Sequence, residues 1–124
     1  MQEDRSEKEV GMPFATGKLG GGFRLLRAYI DEAGPKGIVP DEGVFDVIRS
    51  MASIRSTAEE VIEAVARLLI NKVDPLAAVR AYRRVYGVDV DEGEAVRTVA
   101  REAAAWAIEV AESLGMIRLH GYVR

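Results

Sequence analysis

Arginine side chains recur at helical spacing in the second half of the chain. Arg80 and Arg84 are four residues apart, as are Arg97 and Arg101, and Arg83 adjoins the first pair. Residues three or four apart lie on the same face of an α-helix, so each pair is expected to project from one face. Guanidinium groups bind phosphate through two parallel hydrogen bonds. The five arginines are therefore candidates for one phosphate-binding surface.

Nearby acidic residues offer a second interpretation of these arginines. Asp89, Asp91, Glu94 and Glu102 lie close to them in sequence. Arginine and carboxylate side chains on helix surfaces commonly form solvated ion pairs. The sequence alone leaves both interpretations open.

Two pairs of glutamates have a spacing that could serve a divalent metal. Glu60 and Glu63 form one E-x-x-E pair, and Glu109 and Glu112 form another. Carboxylate oxygens are the ligands that Mg²⁺ prefers. The stretch EEVIEAV at 59–65 resembles the first motif of the all-helical MazG-type nucleotide pyrophosphatases, although that family ends its second motif in Asp and places it nearer in sequence. A metal-dependent pyrophosphatase is thus one alternative, and exposed glutamates on amphipathic helices are the other.

Other catalytic groups are scarce. The chain has no cysteine, and its one histidine, His120, has no second histidine or cysteine to complete a zinc site. Gly20, Gly21 and Gly22 lack the Lys-Ser/Thr that follows the glycines of a P-loop. We therefore expect a non-enzymatic protein without a cofactor.

Hydrophobic periodicity predicts that an all-α bundle of about five helices positions these side chains. The helices are expected to start at Phe23, Asp41, Ser56, Asp74 and Glu92, and the last is expected to run to about Leu114. Ser56 with Glu59 and Asp91 with Glu94 have capping-box spacing. Asp74-Pro75 combines a cap with proline at the first helical position, and Gly87 and Gly115 are expected to end the last two helices.

The same periodicity predicts which side chains face inward. In the third helix Leu68 and Leu69 are expected to point into the core, and in the fourth Tyr82 and Tyr86 are too. The long last helix is predicted to bury one stripe flanked by alanines, made of Val96, Val99, Ala103, Trp106 and Val110.

Composition divides the chain into three parts. A flexible N-terminal arm is predicted at 1–22, the helical bundle at 23–115 and a short C-terminal tail at 116–124. The polar start MQEDRSEKEV does not have the pattern of a secretory signal, and no apolar run reaches the roughly 20 residues of a membrane span. With a net charge of −3, the chain does not have the composition of a free-standing basic protein that binds nucleic acid. Its two side-chain amides and its many charges are typical of a thermophile's protein.

This layout is similar to that of the major capsid proteins of filamentous viruses of hyperthermophilic archaea, and the ending HGYVR is similar to the T-G-Y-V-S ending of a rod-shaped member. The resemblance implies a subunit that packs with copies of itself or a close paralogue and wraps double-stranded DNA through backbone phosphates. It implies a cytoplasmic or virion location. An alternative is a small helical subunit of an archaeal CRISPR complex that binds single-stranded nucleic acid. The phosphate-facing set that the resemblance implies is Arg24, Arg27, Arg80, Arg83, Arg84, Arg97 and Arg101.

Overall fold

The computed structural model describes residues 22–117 and contains five α-helices, with no strand in that range. The prediction of an all-α bundle is confirmed. A 3₁₀ helix at Ile70–Lys72 joins the third and fourth helices. The helices are α1 (Arg24–Ala33), α2 (Glu42–Ser53), α3 (Ala58–Leu69), α4 (Pro75–Tyr86) and α5 (Glu92–Ser113).

Aspartate side chains cap three of the helices at the positions that the sequence predicts. Asp41 accepts a hydrogen bond from the backbone N–H of Val44, and Asp91 accepts one from Glu94. Asp74 caps α4, which begins with Pro75. Each cap satisfies a backbone donor that has no partner within its helix. The sequence therefore fixes these three helix starts locally.

The start of α3 differs from the prediction by one residue. The capping box is formed by Thr57 and Glu60, not by Ser56 and Glu59. Ser56 is buried, and its N–H donates to the carbonyl of Met51 in the turn that ends α2. Arg55 takes a left-handed φ of 65° in that turn. Because Ser56 closes the preceding helix, Thr57 is the first residue free to cap the next.

Helix α5 lies at the centre of the bundle and contacts each of the other four helices. Its inward side is made mainly of alanines, while Val96 and Val110 of the predicted stripe are only half-buried. Small side chains let several neighbouring backbones approach one helix closely, which explains why the alanines face inward. The buried residues of α5 are Ala95, Val99, Ala100, Ala103, Ala104, Trp106, Ala107, Ile108 and Ala111.

Two other core predictions are wrong. Leu68 of α3 is 44% exposed and Tyr86 of α4 is 47% exposed. Tyr86 packs on the ring of Tyr82 with the ring centroids 4.6 Å apart, so the aromatic pair lies at the edge of the core. Trp106, by contrast, is fully buried as predicted.

Two long-range hydrogen bonds hold α1 in place. No side chain caps α1 at Phe23, and the carboxylate of Glu102 in α5 accepts a hydrogen bond of 2.9 Å from the N–H of Leu26 instead. The buried hydroxyl of Tyr29 accepts one of 2.8 Å from the N–H of Asp74, where α4 begins. Both α4 and α5 therefore fix the position of α1.

The predicted N-terminal arm and C-terminal tail lie mostly outside the described residues. This applies to the arm up to residue 21 and to the tail from residue 118, which includes His120. Gly115 follows α5 with a φ of 76°, as its predicted role in ending the helix requires. Within the described range, no helix has the length and apolar character needed to cross a membrane.

Candidate phosphate-binding surface

Arginines of α1 and α4 meet on the outside of the bundle. Arg24 and Arg27 from α1 and Arg84 from α4 line an open cavity of about 270 Å³. Arg80 lies one turn before Arg84 and shares a carboxylate partner with it. We call Arg24, Arg27, Arg80 and Arg84 the α1/α4 surface.

A single carboxylate holds two of these arginines. Arg80 donates from Nε to one oxygen of Glu32 at 3.2 Å, and Arg84 donates from Nη1 to the other at 3.1 Å. The hydrogen bonds from Arg84 and then Arg80 hold the pKa of Glu32 below its usual value. The side chain of Glu32 is only 22% exposed, so it supports the two guanidiniums from below.

The other contacts of this surface also fix guanidinium positions. Arg84 reaches Asp31 at 3.4 Å, and the hydrogen bond that Arg84 donates to Glu32 is the main reason that the pKa of Arg84 is raised. Arg24 donates to the backbone carbonyl of Val85 at 3.5 Å, across the gap between the two helices. Rigidly held guanidiniums lose less conformational entropy when they bind an anion.

Glu102 of α5 interacts electrostatically with Arg24 of the α1/α4 surface. Burial raises the pKa of Glu102, while the hydrogen bond from Leu26 and the positive charge of Arg24 oppose that rise. Glu102 therefore links the cap of α1 to the arginine at the start of the same helix.

Arg83 lies on α4 but has a local partner. It forms an ion pair of 2.6 Å with Asp89, in the connection between α4 and α5. Asp89 was one of the acids that the sequence offered as a partner.

Arg97 and Arg101 belong to a different part of the molecule. Arg97 pairs with Glu94 at 3.0 Å within α5, another partner that the sequence offered. Arg101 contacts Glu59 at 2.5 Å and also contacts Glu63, both on α3. Arg24, Arg27 and Arg84 line one cavity, whereas Arg97 and Arg101 line another with residues of α3, so the seven predicted arginines do not form one surface. We call the second region, with Glu59 and Glu63, the α3/α5 side.

Sequence reasoning did not identify the carboxylates that pair with these arginines across helices. Asp31, Glu32, Glu59 and Glu63 are 38 to 53 residues from the arginines they hold. No local spacing signals such a pair. Of the other two acids considered from sequence, Asp91 caps α5 and Glu102 caps α1.

The glutamates considered for a metal are used in other ways. Glu60 completes the capping box of α3, and Glu63 is held by Arg101. Among residues 22–117, no group of three or more acidic, histidine or cysteine side chains is placed to hold a metal ion. Glu109 and Glu112 lie on α5 and complete no such group with the first pair.

Comparison of the chain with protein-family models, with curated proteins and with solved structures finds no match. The arrangement of residues in the five-helix bundle is therefore the basis for a functional argument.

Proposed function

We propose that the protein is a non-enzymatic structural subunit that packs with copies of itself and binds the phosphates of double-stranded DNA through the α1/α4 surface. The observation that carries the proposal is the meeting of three arginines from two helices around one open cavity, with Arg80 beside them on the carboxylate it shares with Arg84. Arginines held in this way suit the regular anions of a nucleic-acid backbone.

The local charge balance supports a polyanion as the partner. Arg80 and Arg84 share the carboxylate of Glu32, Arg84 also reaches Asp31, and Arg24 lies near the half-buried Glu102. The four arginines of the surface thus stand against three acids, and the donors on Arg80 and Arg84 outnumber the two oxygens of the Glu32 carboxylate. The surface thus keeps donors and positive charge for an external anion, although the whole chain is acidic.

Recognition of this kind depends on backbone and shape. Phosphate contacts fix the register of a protein on DNA but carry no base information. The tyrosine pair on α4 adjoins the arginines in sequence, but its rings pack on each other. The proposed subunit therefore binds duplexes of different sequence with similar affinity.

Exposed apolar side chains on and after α4 support contacts between copies. Leu76 is 58% exposed, and Tyr86 and Val88 are also exposed. At about 100° per residue, Tyr86 lies roughly 120° around the helix from Arg80 and roughly 160° from Arg84, whereas Leu76 lies one turn before Arg80 on the same face. Tyr86 and the following Val88 thus offer apolar contacts away from the arginines, which suits a subunit that binds DNA and its neighbours together.

Salt dependence of DNA binding tests the proposal. We would titrate a mixed-sequence duplex at several salt concentrations with the wild type and with the double variant Arg24→Ala/Arg84→Ala. The expected result is that the slope of log affinity against log salt falls by about 2, since each lost phosphate contact removes about 0.9.

The matched control is Arg49→Ala/Arg55→Ala. It removes the same charge from α2 and the turn after it. Its slope is expected to stay close to that of the wild type. Equal losses in both double variants would mean that only net charge matters, and would exclude the α1/α4 surface as the binding site.

Electron microscopy of the purified protein with and without duplex DNA tests the assembly. Regular filaments are expected with DNA, and the variant Tyr86→Ser/Val88→Ser is expected to bind DNA without forming them. Saturated DNA carrying only isolated subunits of the wild type would exclude a role in assembly.

A further inference from the structure

A second cavity lies on the α3/α5 side, away from the α1/α4 surface. Its volume is about 270 Å³, and its floor is formed by Ala66 of α3, Ala100 of α5 and Ile70 of the 3₁₀ helix. Ala100 is fully buried and Ala66 is only 7% exposed, so the half-buried Ile70 presents most of the apolar surface that a ligand could reach.

The cavity continues into a neighbouring one of about 280 Å³. The two share Ile70 and Arg97, and the second reaches Gly93 and Val96 at the start of α5. A Cβ atom at Gly93 would lie 3.4 Å from Nη1 of Arg97, so glycine leaves room for this guanidinium. Together the cavities form a short groove with a largely apolar floor.

Three arginines stand around this floor with unequal freedom. Arg101 is bound to Glu59 and Glu63, and Arg97 is bound to Glu94. Arg67 is exposed, and no ion pair to it is found within the described part of the chain. Arg67 therefore has a guanidinium available for an anion at the mouth of the groove.

The apolar floor of the groove and the exposed Arg67 at its edge together indicate the chemistry of a ligand. We propose that this groove binds a small amphipathic monocarboxylate, with its apolar part on Ile70 and the exposed edge of Ala66 and its carboxylate on Arg67. The fork of an arginine matches the two oxygens of a carboxylate. Ligand pockets of this type are apolar with a few polar groups that fix orientation.

The acidic residues at the groove favour a single negative charge. Glu63 lines the cavity, and Glu59 lies beside it on Arg101. A ligand with two or more charges would meet repulsion from these carboxylates, because like charges at close range raise the energy of the bound state. This requirement separates the groove from the α1/α4 surface, and the inference does not depend on DNA binding.

Hexanoate is the probe that tests the inference, with ¹H–¹⁵N NMR of the full chain as the measurement. Three comparison compounds each change one property of hexanoate. Hexanol has no charge, acetate has only a methyl group as its apolar part, and hexyl phosphate carries more than one negative charge. Saturable shifts at the amides of Ala66 and Ala100 are expected at millimolar hexanoate. Each comparison compound is expected to bind several times more weakly.

Two variants locate the site. Arg67→Gln is expected to weaken hexanoate binding about tenfold, since a charge-assisted bidentate contact is lost. Ala66→Leu is expected to block the floor and abolish the shifts at Ala100. Arg55→Gln is the matched control, because it removes an exposed arginine from the turn after α2.

Hexanoate binding that is unchanged in Arg67→Gln would overturn the inference, as would hexanol binding of equal strength. Absence of saturable shifts in the wild type would overturn it as well. If Ala66→Leu does not fold, the Arg67→Gln result decides. Stronger binding of hexyl phosphate than of hexanoate would contradict the single-charge requirement.

Discussion

The two arginine regions of this bundle use the same residue types in opposite ratios. On the α1/α4 surface one carboxylate, Glu32, is shared by Arg80 and Arg84. On the α3/α5 side one guanidinium, that of Arg101, is shared by Glu59 and Glu63. The first arrangement brings two guanidiniums to one carboxylate, and the second brings two carboxylates to one guanidinium. The two proposals above rest on this difference, with a polyanion on the α1/α4 surface and a single negative charge on the α3/α5 side.

The largest expected effect concerns the cap that α5 gives to α1. Glu102→Ala leaves the N–H of Leu26 without its acceptor in a half-buried position, and should lower the free energy of unfolding by about 1–3 kcal/mol. Chemical denaturation measures this loss. Because α1 carries Arg24 and Arg27, DNA binding should weaken too, whereas hexanoate binding should not. Equal weakening of both would show that the two regions are not independent.

Glu102→Gln keeps an acceptor and removes the charge. Burial raises the pKa of Glu102, so the folded state holds its proton more strongly than the unfolded state. In the wild type, stability therefore falls as pH rises from the ordinary glutamate pKa through the raised one. Denaturation at a series of pH values should show that the free energy of unfolding of Glu102→Gln rises relative to that of the wild type as pH increases across this range. A constant difference would mean that Glu102 has no raised pKa.

Tyr29→Phe tests the second contact that holds α1. Removal of the hydroxyl leaves the N–H of Asp74 without its 2.8 Å partner, and the expected loss is about 1–2 kcal/mol of stability. Thermal unfolding followed by circular dichroism measures it. Amide hydrogen exchange should increase at the start of α4 and remain unchanged in α3. Faster exchange throughout α3 would mean that the two sides of the bundle are coupled more tightly than their contacts indicate.

Thr57→Ala tests the capping box at the start of α3, on the α3/α5 side. Loss of the capping box should lower stability by about 1 kcal/mol and increase exchange in the first turn of α3, which holds Glu59. Ser56→Ala is the matched comparison, because it removes a hydroxyl one residue earlier that does not cap the helix. A larger loss in Ser56→Ala than in Thr57→Ala would contradict the cap assigned here.

Glu32→Gln should have the smallest effect, with a pH dependence opposite to that of Glu102. The arginines hold the pKa of Glu32 below its usual value, so its ion pairs stabilise the fold above the ordinary glutamate pKa. That contribution is lost as pH falls through the lowered pKa. The variant should be less stable than the wild type near neutral pH and equal to it in acid. The same difference at every pH would show that the ion pairs contribute nothing.

Local patterns predict most of this fold because four of the five helices carry a start signal of their own. Asp41, Asp74 and Asp91 cap the helices that they were expected to cap. Ser56 and Thr57 both have a glutamate three residues later, so the pattern alone could not choose between them. The turn from α2 decides in favour of Thr57.

The arginine surfaces were less predictable because their partners come from distant helices. Glu102 and Leu26 are 76 residues apart, and Arg101 and Glu59 are 42 apart. Helical spacing shows that Arg80 and Arg84 share a face but does not show which helix that face meets. The inward side of α5 was predicted in part, since Val99, Ala103 and Trp106 of the stripe are buried but the buried side also extends over the flanking alanines. Alanine has a small hydrophobic contribution, and only its close contact with several helices shows that it is buried.

The central position of α5 has a consequence for the order in which the chain becomes structured. A ribosome adds residues from the N-terminus at roughly 5–20 per second, so α1 to α4 emerge before the helix that all of them contact. Until then α1 has no cap from Glu102, and the apolar sides of the first four helices lack their shared neighbour. Stable folding during synthesis must therefore wait for the last helix, and a nascent chain stalled before α5 would be a ready substrate for chaperones.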